Sequence, residues 1–179
     1  MKAQVTRYHP LLVTLHWVVA ILIIGNLVAG KLLLDGLADG DAAKLEVLRL
    51  HMLGGLVVLL LLVGRLAVRF ATARPGPAHQ SKPLNWLVGL SHAGLYLAAL
   101  AMAVTGLGTA QLAGLFPLLQ GQPVTIPSDW SQIAPHAGHE LFANVLLVLI
   151  AVHFAGALYH MAKRDGVAGR IWFGKRTTD

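Results

Sequence analysis

The chain has 179 residues, of which 56% are hydrophobic and only 12% are charged. A soluble domain of this size carries about a quarter charged residues, so the composition predicts an integral membrane protein with a single domain over residues 1–179. The chain contains no cysteine, which excludes disulfides, iron–sulfur clusters, thiolate metal sites and cofactors attached through thioether bonds.

Four hydrophobic segments follow one another along the chain, at about residues 11–34, 50–68, 86–110 and 140–162. Each is close to the roughly 20 residues that cross a bilayer as a helix. With connections of modest length, they predict an all-α, antiparallel four-helix membrane bundle. Asp41 is a candidate N-cap for the second helix. The segment from about residue 111 to 138 is too rich in proline to span a membrane, and we expect it to cap the outer face with Trp130 at the lipid interface.

The distribution of lysine and arginine predicts the orientation of the bundle. Eleven cations flank one end of the spans: Lys2, Arg7, Arg65, Arg69, Arg74, Lys82, Lys163, Arg164, Arg170, Lys175 and Arg176. Only Lys31, Lys44 and Arg49 lie at the other end, together with most acids (Asp35, Asp39, Asp41, Glu46, Asp129 and Glu140). Both termini are therefore expected on the cytoplasmic side of the membrane. Because the cations are scattered over three flanking segments, the net charge of +6 does not indicate nucleic-acid binding.

Nine histidines in so apolar a chain need an explanation, because ionisable side chains inside membranes are usually functional. His139 and His153 are fourteen residues apart on the last span, so they share one helix face about 21 Å apart along the axis. Counted from the charged ends of the spans, His16 matches the depth of His153, and His51 matches that of His139. Spacing and topology thus predict the pairs His16–His153 and His51–His139.

Two opposed neutral imidazoles suit a six-coordinate haem iron, so these pairs predict two stacked haems. Zinc is a poorer alternative, because zinc sites gather three or four ligands at one depth. His92 lies at the depth of the inner pair, and spacing alone does not exclude it as a ligand. His160 shares the face of His153 and could touch a haem edge or help to form a quinone pocket. His9, His79 and His136 are expected in loops or at interfaces.

Other side chains could support such a cofactor. Arg65 and Arg69, at the cytoplasmic end of the second span, could bind haem propionates, although topology explains these two cations equally well. Glycines that follow the histidines by about one turn, at Gly54, Gly55 and Gly156, could leave space for a flat macrocycle, or could simply allow close helix packing.

Four stretches resemble bacterial cytochrome b561: TLHW in the first span, RLHMLGG and GRLAVR at the two ends of the second, and HELFANVLLVLIAVHFAGALYH in the fourth. The resemblance covers nearly the whole chain and extends to cytochrome b subunits of hydrogenase and formate dehydrogenase. It implies two b-type haems, an inner one held by His16 and His153 and an outer one held by His51 and His139. It disfavours His92 as an axial ligand.

The resemblance implies an oxidoreductase of the bacterial inner membrane that transfers electrons between haems and quinone, with ubiquinone as the expected acceptor. Some members of this family oxidise superoxide, which makes superoxide a candidate donor. Lys31, Lys44 and Arg49 could steer such an anion towards the outer haem. The alternative is a membrane anchor and electron conduit for a protein redox partner within a larger dehydrogenase or hydrogenase. A haem-free transporter or scaffold is a third possibility, and it predicts a colourless protein.

Overall fold

The computed structural model describes residues 5–38 and 41–176; Lys2 and Asp39, which entered the orientation prediction, lie outside the described residues. Four long helices dominate this part of the chain: α1 (Pro10–Val28), α2 (Ala42–Ala71), α3 (Lys82–Leu112) and α4 (Ala134–Lys163). A π-helical turn, Ala29–Leu34, continues α1. All four helices are long and apolar enough to cross a bilayer, so the prediction of an all-α four-span protein is confirmed.

Helices α2 and α4 begin several residues before the hydrophobic segments predicted for them. The side chain of Asp41 accepts a hydrogen bond from the backbone N–H of Ala43 at 2.8 Å, so Asp41 is the N-cap expected for α2. Pro135 occupies the first turn of α4, where a backbone N–H would have no partner within the helix, so proline is tolerated there. As a result α4 starts within the segment expected to be a loop, and it includes His136. His51 likewise lies well inside α2, nine residues after Ala42.

The bundle consists of two hairpins. α1 packs against α2, and α3 packs more extensively against α4. The contact between α2 and α3 joins the two hairpins. Backbone contacts of α4 with α1 and with α2 are sparse. Side chains from all four helices fill the middle of the bundle: Val19, Ile23, Leu27, Val58, Leu62, Ala98, Ala99, Met102, Ala143 and Leu146. Large apolar residues such as Leu60 and Leu97 point outward, as expected for faces in contact with lipid.

At one end of the bundle, the three cation-rich segments meet. The Arg7 guanidinium donates to the carbonyl of Gly169 at 2.8 Å. Arg170 and Arg176, in the segment after α4, donate to carbonyls of the α2–α3 connection at 2.7 and 2.6 Å. The indole N–H of Trp17 donates to the carbonyl of Ile171 at 3.2 Å. The C-terminal segment thus crosses this end of the bundle and ties α1 to the α2–α3 connection.

The opposite end is covered by the connection between α3 and α4. This connection contains two short 3₁₀ turns, Phe116–Gln120 and Trp130–Gln132. Its residues Leu115 and Leu118 pack with Leu48 of α2 and Ala110 of α3 in a second apolar cluster. Trp130 is half-buried against this cluster and stacks on His136 with ring centres 4.9 Å apart. The connection therefore caps the bundle as expected, but Trp130 packs against the bundle instead of lying only at the lipid interface.

Candidate functional site

Two pairs of imidazoles span the gap between α4 and the first hairpin. The ring centres of His16 on α1 and His153 on α4 are 6.2 Å apart, with the ring planes inclined at 63°. Those of His51 on α2 and His139 on α4 are 6.0 Å apart, with the planes at 89°. The structure thus brings together the histidines that were paired by their depth along the helices. One pair lies near each end of the central apolar cluster.

These separations match the space needed for one iron atom. Two metal–imidazole bonds of about 2 Å, plus about 1 Å from each nitrogen to its ring centre, separate two ring centres by roughly 6 Å. Among the described residues, no group of three or more His, Asp or Glu side chains could hold a metal ion. The arrangement therefore suits a metal whose equatorial ligands come from a macrocycle better than it suits zinc.

The pair formed by His51 and His139, called here the outer pair, borders a cavity of about 340 Å³. This volume lies within the range of about 300–1,000 Å³ typical of ligand pockets. The cavity is lined mainly by apolar residues of all four helices, and Asn26 and Gly55 are among its walls. Lys31 and Lys44 also border it, near the capped end of the bundle.

Both outer rings lie against glycines on neighbouring helices. A Cβ on Gly106 of α3 would be 2.9 Å from Cε1 of His139, and a Cβ on Gly30 would be 3.2 Å from Cε1 of His51. Any larger residue at Gly106 would therefore displace the imidazole. Gly54 serves a different contact, because a Cβ there would be 2.6 Å from the side-chain amide of Asn26. The space at the outer pair thus depends on glycines outside the histidine helices, as well as on Gly55.

Hydrogen bonding orients His139 but not His51. Nδ1 of His139 lies 2.8 Å from the carbonyl oxygen of Met102, which can only accept, so Nδ1 carries the hydrogen and Nε2 has a free lone pair. A histidine that binds metal through Nε2 has this tautomer. Nδ1 of His51 is buried beside the backbone of Asn26 without a hydrogen bond of ordinary geometry. His139 is thus prepared to bind a metal, and His51 can adopt the same tautomer.

The inner pair, His16 and His153, has a half-buried cation beside it. The guanidinium of Arg65 on α2 lies 3.2 Å from Nδ1 of His16 and donates to the hydroxyl of Tyr96 on α3. Nε of Arg65 is buried without a partner. A guanidinium only donates, so Nδ1 of His16 accepts and the hydrogen lies on Nε2. Binding of iron at Nε2 of His16 therefore requires Arg65 to turn towards another acceptor.

A third imidazole adjoins the inner pair. The ring centre of His92 on α3 is 5.4 Å from that of His153, nearly edge-on at 82°. Nδ1 of His92 lies 2.7 Å from the carbonyl oxygen of Val88, one turn earlier in the same helix. His153 thus has His16 on one neighbouring helix and His92 on another, and the structure keeps both candidates close to it.

The other predicted site residues lie further out. Nδ1 of His160 donates to Asp165 at 2.6 Å, and its ring centre is 5.2 Å from that of His79. The hydrogen bond from His160 lowers the pKa of Asp165. Arg69 follows Arg65 by one turn and is half-buried. His9 caps the start of α1 by accepting from the backbone N–H of Leu11. None of these side chains forms part of the two histidine pairs.

Several contributors to the site were not predicted from the sequence. These are Asn26, Gly30, Tyr96, Gly106 and the carbonyl of Met102. A polar side chain within an apolar span, as at Asn26 and Tyr96, is the one feature that could have drawn attention to two of them. The glycines and the carbonyl depend on how neighbouring helices are rotated about their axes.

A membrane bundle of four helices with paired imidazoles at two depths is the architecture of a membrane cytochrome b. The model of the prokaryotic cytochrome b561 family matches residues 7–174, and the chain belongs to this family. The resemblance found in the sequence is thereby confirmed. Family membership implies haem b and a role in membrane electron transfer.

Two curated relatives span most of the chain. Cytochrome b562 of Cereibacter sphaeroides is 30% identical over 164 residues, which cover 88% of this chain and 89% of that protein. Cytochrome b561 homolog 1 of Escherichia coli strain K12 is 26% identical over 162 residues, which cover 86% of this chain and 89% of that protein. The similarity thus extends over all four membrane spans.

Proposed function

We propose that the protein is a two-haem electron carrier in which His16 and His153 bind an inner haem b and His51 and His139 bind an outer one. The observation that carries this proposal is the pair of ring separations, 6.2 and 6.0 Å, each matched to a single iron. Haem b supplies a one-electron iron couple. Because two histidines would hold each iron, the protein is expected to carry electrons rather than to bind oxygen.

The proposed haems lie at two depths because α4 provides one ligand to each. The fourteen residues between His139 and His153 correspond to about 21 Å of helix. The central apolar cluster separates the pairs, with Leu146 at its centre and only 1% exposed. This dry spacer would hold the two cofactors at a constant distance and exclude water from the path between them. Electron transfer between the faces of the membrane is the function that such a spacing serves best.

The charges around the pairs support the placement of haem propionates. Arg65 is a half-buried cation in a membrane span, and its Nε atom is buried without a partner among the described residues. Such a group is costly unless an anion neutralises it. We expect Arg65 to turn from His16 towards a propionate of the inner haem, with Arg69 as a second donor. That movement would also free His16 to adopt the metal-binding tautomer, so propionate binding and iron binding would depend on each other.

We further propose that both termini lie in the cytoplasm, on the basis of the distribution of lysine and arginine. The three cation-rich segments form one end of the bundle, where Arg7 and Arg170 bond to carbonyls of their neighbours. The inner haem would then lie nearer the cytoplasm. A reporter fused to each terminus would test this assignment, and a periplasmic signal from either fusion would contradict it.

Ubiquinone is the acceptor that we propose for the electrons, bound near the cytoplasmic end, where Trp17 and His92 adjoin the inner pair and His160 lies about two turns further along α4. Superoxide is the donor that we propose at the outer pair. Two superoxide ions would each lose one electron and become dioxygen, while one ubiquinone takes up both electrons and two protons to become ubiquinol. Lys31 and Lys44 border the outer cavity and favour the approach of an anion. Arg49 contributes less, because Glu46 lies 3.6 Å from its guanidinium.

The haem assignment is tested by a reduced-minus-oxidised spectrum of purified protein, with haem quantified per chain. We expect two haems in the wild type, and one different haem lost in each of His139→Ala and His153→Ala. His136→Ala and His160→Ala, on the same helix, are matched controls that should keep both. A colourless wild type, or loss of the same haem in both ligand variants, would contradict the proposal.

The donor and acceptor need a separate assay. Superoxide generated at a known rate should disappear faster with the purified protein and a soluble quinone analogue than with the analogue alone. Quinol should form at half the rate of the additional superoxide loss that the protein causes. No acceleration over spontaneous dismutation would exclude superoxide as the donor while leaving the haem assignment intact. Co-purification of a dehydrogenase in stoichiometric amount would instead favour the role of a membrane anchor.

A further inference from the structure

The orientation of His92 assigns the hydrogen on its ring. Nδ1 of His92 is 2.7 Å from the carbonyl oxygen of Val88, and a carbonyl oxygen can only accept. Nδ1 therefore carries the hydrogen, and Nε2 of His92 presents a lone pair. The imidazole is fixed to its own helix on one side and is an acceptor on the other.

His153 needs an acceptor of this kind if it binds iron. An imidazole that ligates through Nε2 carries its hydrogen on Nδ1, and metal-bound histidines almost always donate that hydrogen to a partner. Within the bilayer water is scarce, so the partner has to be a side chain or a backbone carbonyl. His139 has such a partner in the carbonyl of Met102. For His153, the nearest ring is that of His92.

The distance between the two rings suits a hydrogen bond. Their centres are 5.4 Å apart and the planes are nearly perpendicular. Allowing about 1 Å from each ring centre to its nitrogen leaves about 3 Å between facing nitrogens, which is the usual length of such a bond. Arg65 cannot take this role because its guanidinium has no acceptor.

We propose that His92 is a positioning residue for the inner haem, which accepts a hydrogen bond from Nδ1 of His153 through its own Nε2. The proposal rests on the two-haem function described above. The bonds would form a chain from His153 through His92 to the carbonyl of Val88. This chain orients the His153 ring and increases the basicity of the ligand, which stabilises ferric over ferrous iron. His92 is then not an axial ligand, although it lies at the depth of the axial pair.

The test is a spectroelectrochemical titration of both haems in wild type, His92→Leu and His92→Gln. Leucine removes the acceptor, so the midpoint potential of the inner haem should rise, with a ferrous-to-ferric ratio up to about tenfold higher at a fixed applied potential. Glutamine offers an amide oxygen that can accept, so it should restore most of the wild-type potential. The outer haem should not move in either variant and serves as the internal control. All three proteins should contain two haems per chain.

Several results would overturn the proposal. An unchanged inner potential in His92→Leu would show that the acceptor does not act on His153, and an equal shift of both haems would indicate a general structural effect. Loss of the inner haem in His92→Gln, but not in His16→Ala, would make His92 the axial ligand. If the leucine variant does not fold, His92→Asn replaces it, since its shorter amide should not reach His153 and should also raise the potential. A wild type with fewer than two haems would instead refute the two-haem function.

Discussion

The two histidine pairs have similar ring separations but different surroundings. At the outer pair, glycines in the π-helical turn after α1 and on α3 lie against the two rings, and a cavity of about 340 Å³ opens beside them. At the inner pair, the half-buried Arg65 and the third imidazole, that of His92, lie close by. The outer site is therefore shaped mainly by the absence of side chains, and the inner site mainly by polar side chains that a bound cofactor must engage.

This difference implies two ways of controlling a cofactor. Changes at the outer pair should act through space, by displacing a ring and lowering occupancy. Changes at the inner pair should act through charge and hydrogen bonding, by shifting a potential while the haem stays bound. The two modes can be distinguished by measuring the haem content and the midpoint potential of both sites in the same sample of each variant.

The largest effect is expected from Gly106→Val. A Cβ at this position would lie 2.9 Å from Cε1 of His139, and valine adds two further methyl groups. The His139 ring would be pushed from its place, and most of the outer haem should be lost while the inner haem stays. Gly94→Val is the matched control on the same helix, because a Cβ there would meet only the flexible Leu149 at 3.5 Å. Equal loss of haem in the two variants would show that helix packing, rather than the seat of His139, is responsible.

Arg65→Gln should have the next largest effect, and it should act on potential more than on content. Removing the Arg65 cation disfavours the reduced state of the inner haem, which carries one more electron. If the reduced state loses about 1.4 kcal/mol of stability relative to the oxidised state, the inner midpoint potential falls by about 60 mV. Arg74→Gln removes an exposed cation at the same end of the bundle and should leave both potentials unchanged. An equal shift of both haems would count against a local role for Arg65.

Sequence reasoning predicted which histidines meet because helix rise is constant and charged residues mark the ends of each span. His16, His51, His139 and His153 could therefore be placed by depth alone. Depth did not separate His92 from His16, because the rotation of a helix about its axis is set by packing with its neighbours. The same limit concealed Gly30 and Gly106. The hydropathy pattern also missed the first turns of α4, which begins at Ala134 inside the proline-rich segment, whereas the N-cap Asp41 did indicate where α2 begins.

Gly30→Ala should test the second glycine with a smaller change. A Cβ at Gly30 would be 3.2 Å from Cε1 of His51, which a shift of a few tenths of an ångström can relieve. We expect the outer haem to remain bound, with a modest change in its potential and none in that of the inner haem. Gly25→Ala, on the same helix with open space at the Cβ position, is the control. Complete loss of the outer haem would mean that the π-helical turn cannot adjust.

The smallest effects concern exposed carboxylates at the two ends of the bundle. The hydrogen bond from His160 lowers the pKa of Asp165, and hydrogen bonds from Ser131 lower that of Asp129. A carboxylate with a pKa below its usual 3.8 stabilises the fold above that pH and loses this contribution as the pH falls through its folded value.

Asp165→Asn and Asp129→Asn should therefore melt at slightly lower temperatures than wild type at about pH 6, and the differences should shrink as the pH falls below 3.8 and these carboxylates become protonated. Circular dichroism in detergent measures the melting temperature, and the visible spectrum of the same samples reports on the haems. Because His160 is seven residues from His153 on one helix face, Asp165→Asn should perturb the inner haem spectrum slightly. Asp129→Asn, in the connection that caps the outer cavity, should perturb only the outer one. The opposite pattern would mean that the two ends of the bundle do not act on their own cofactors separately.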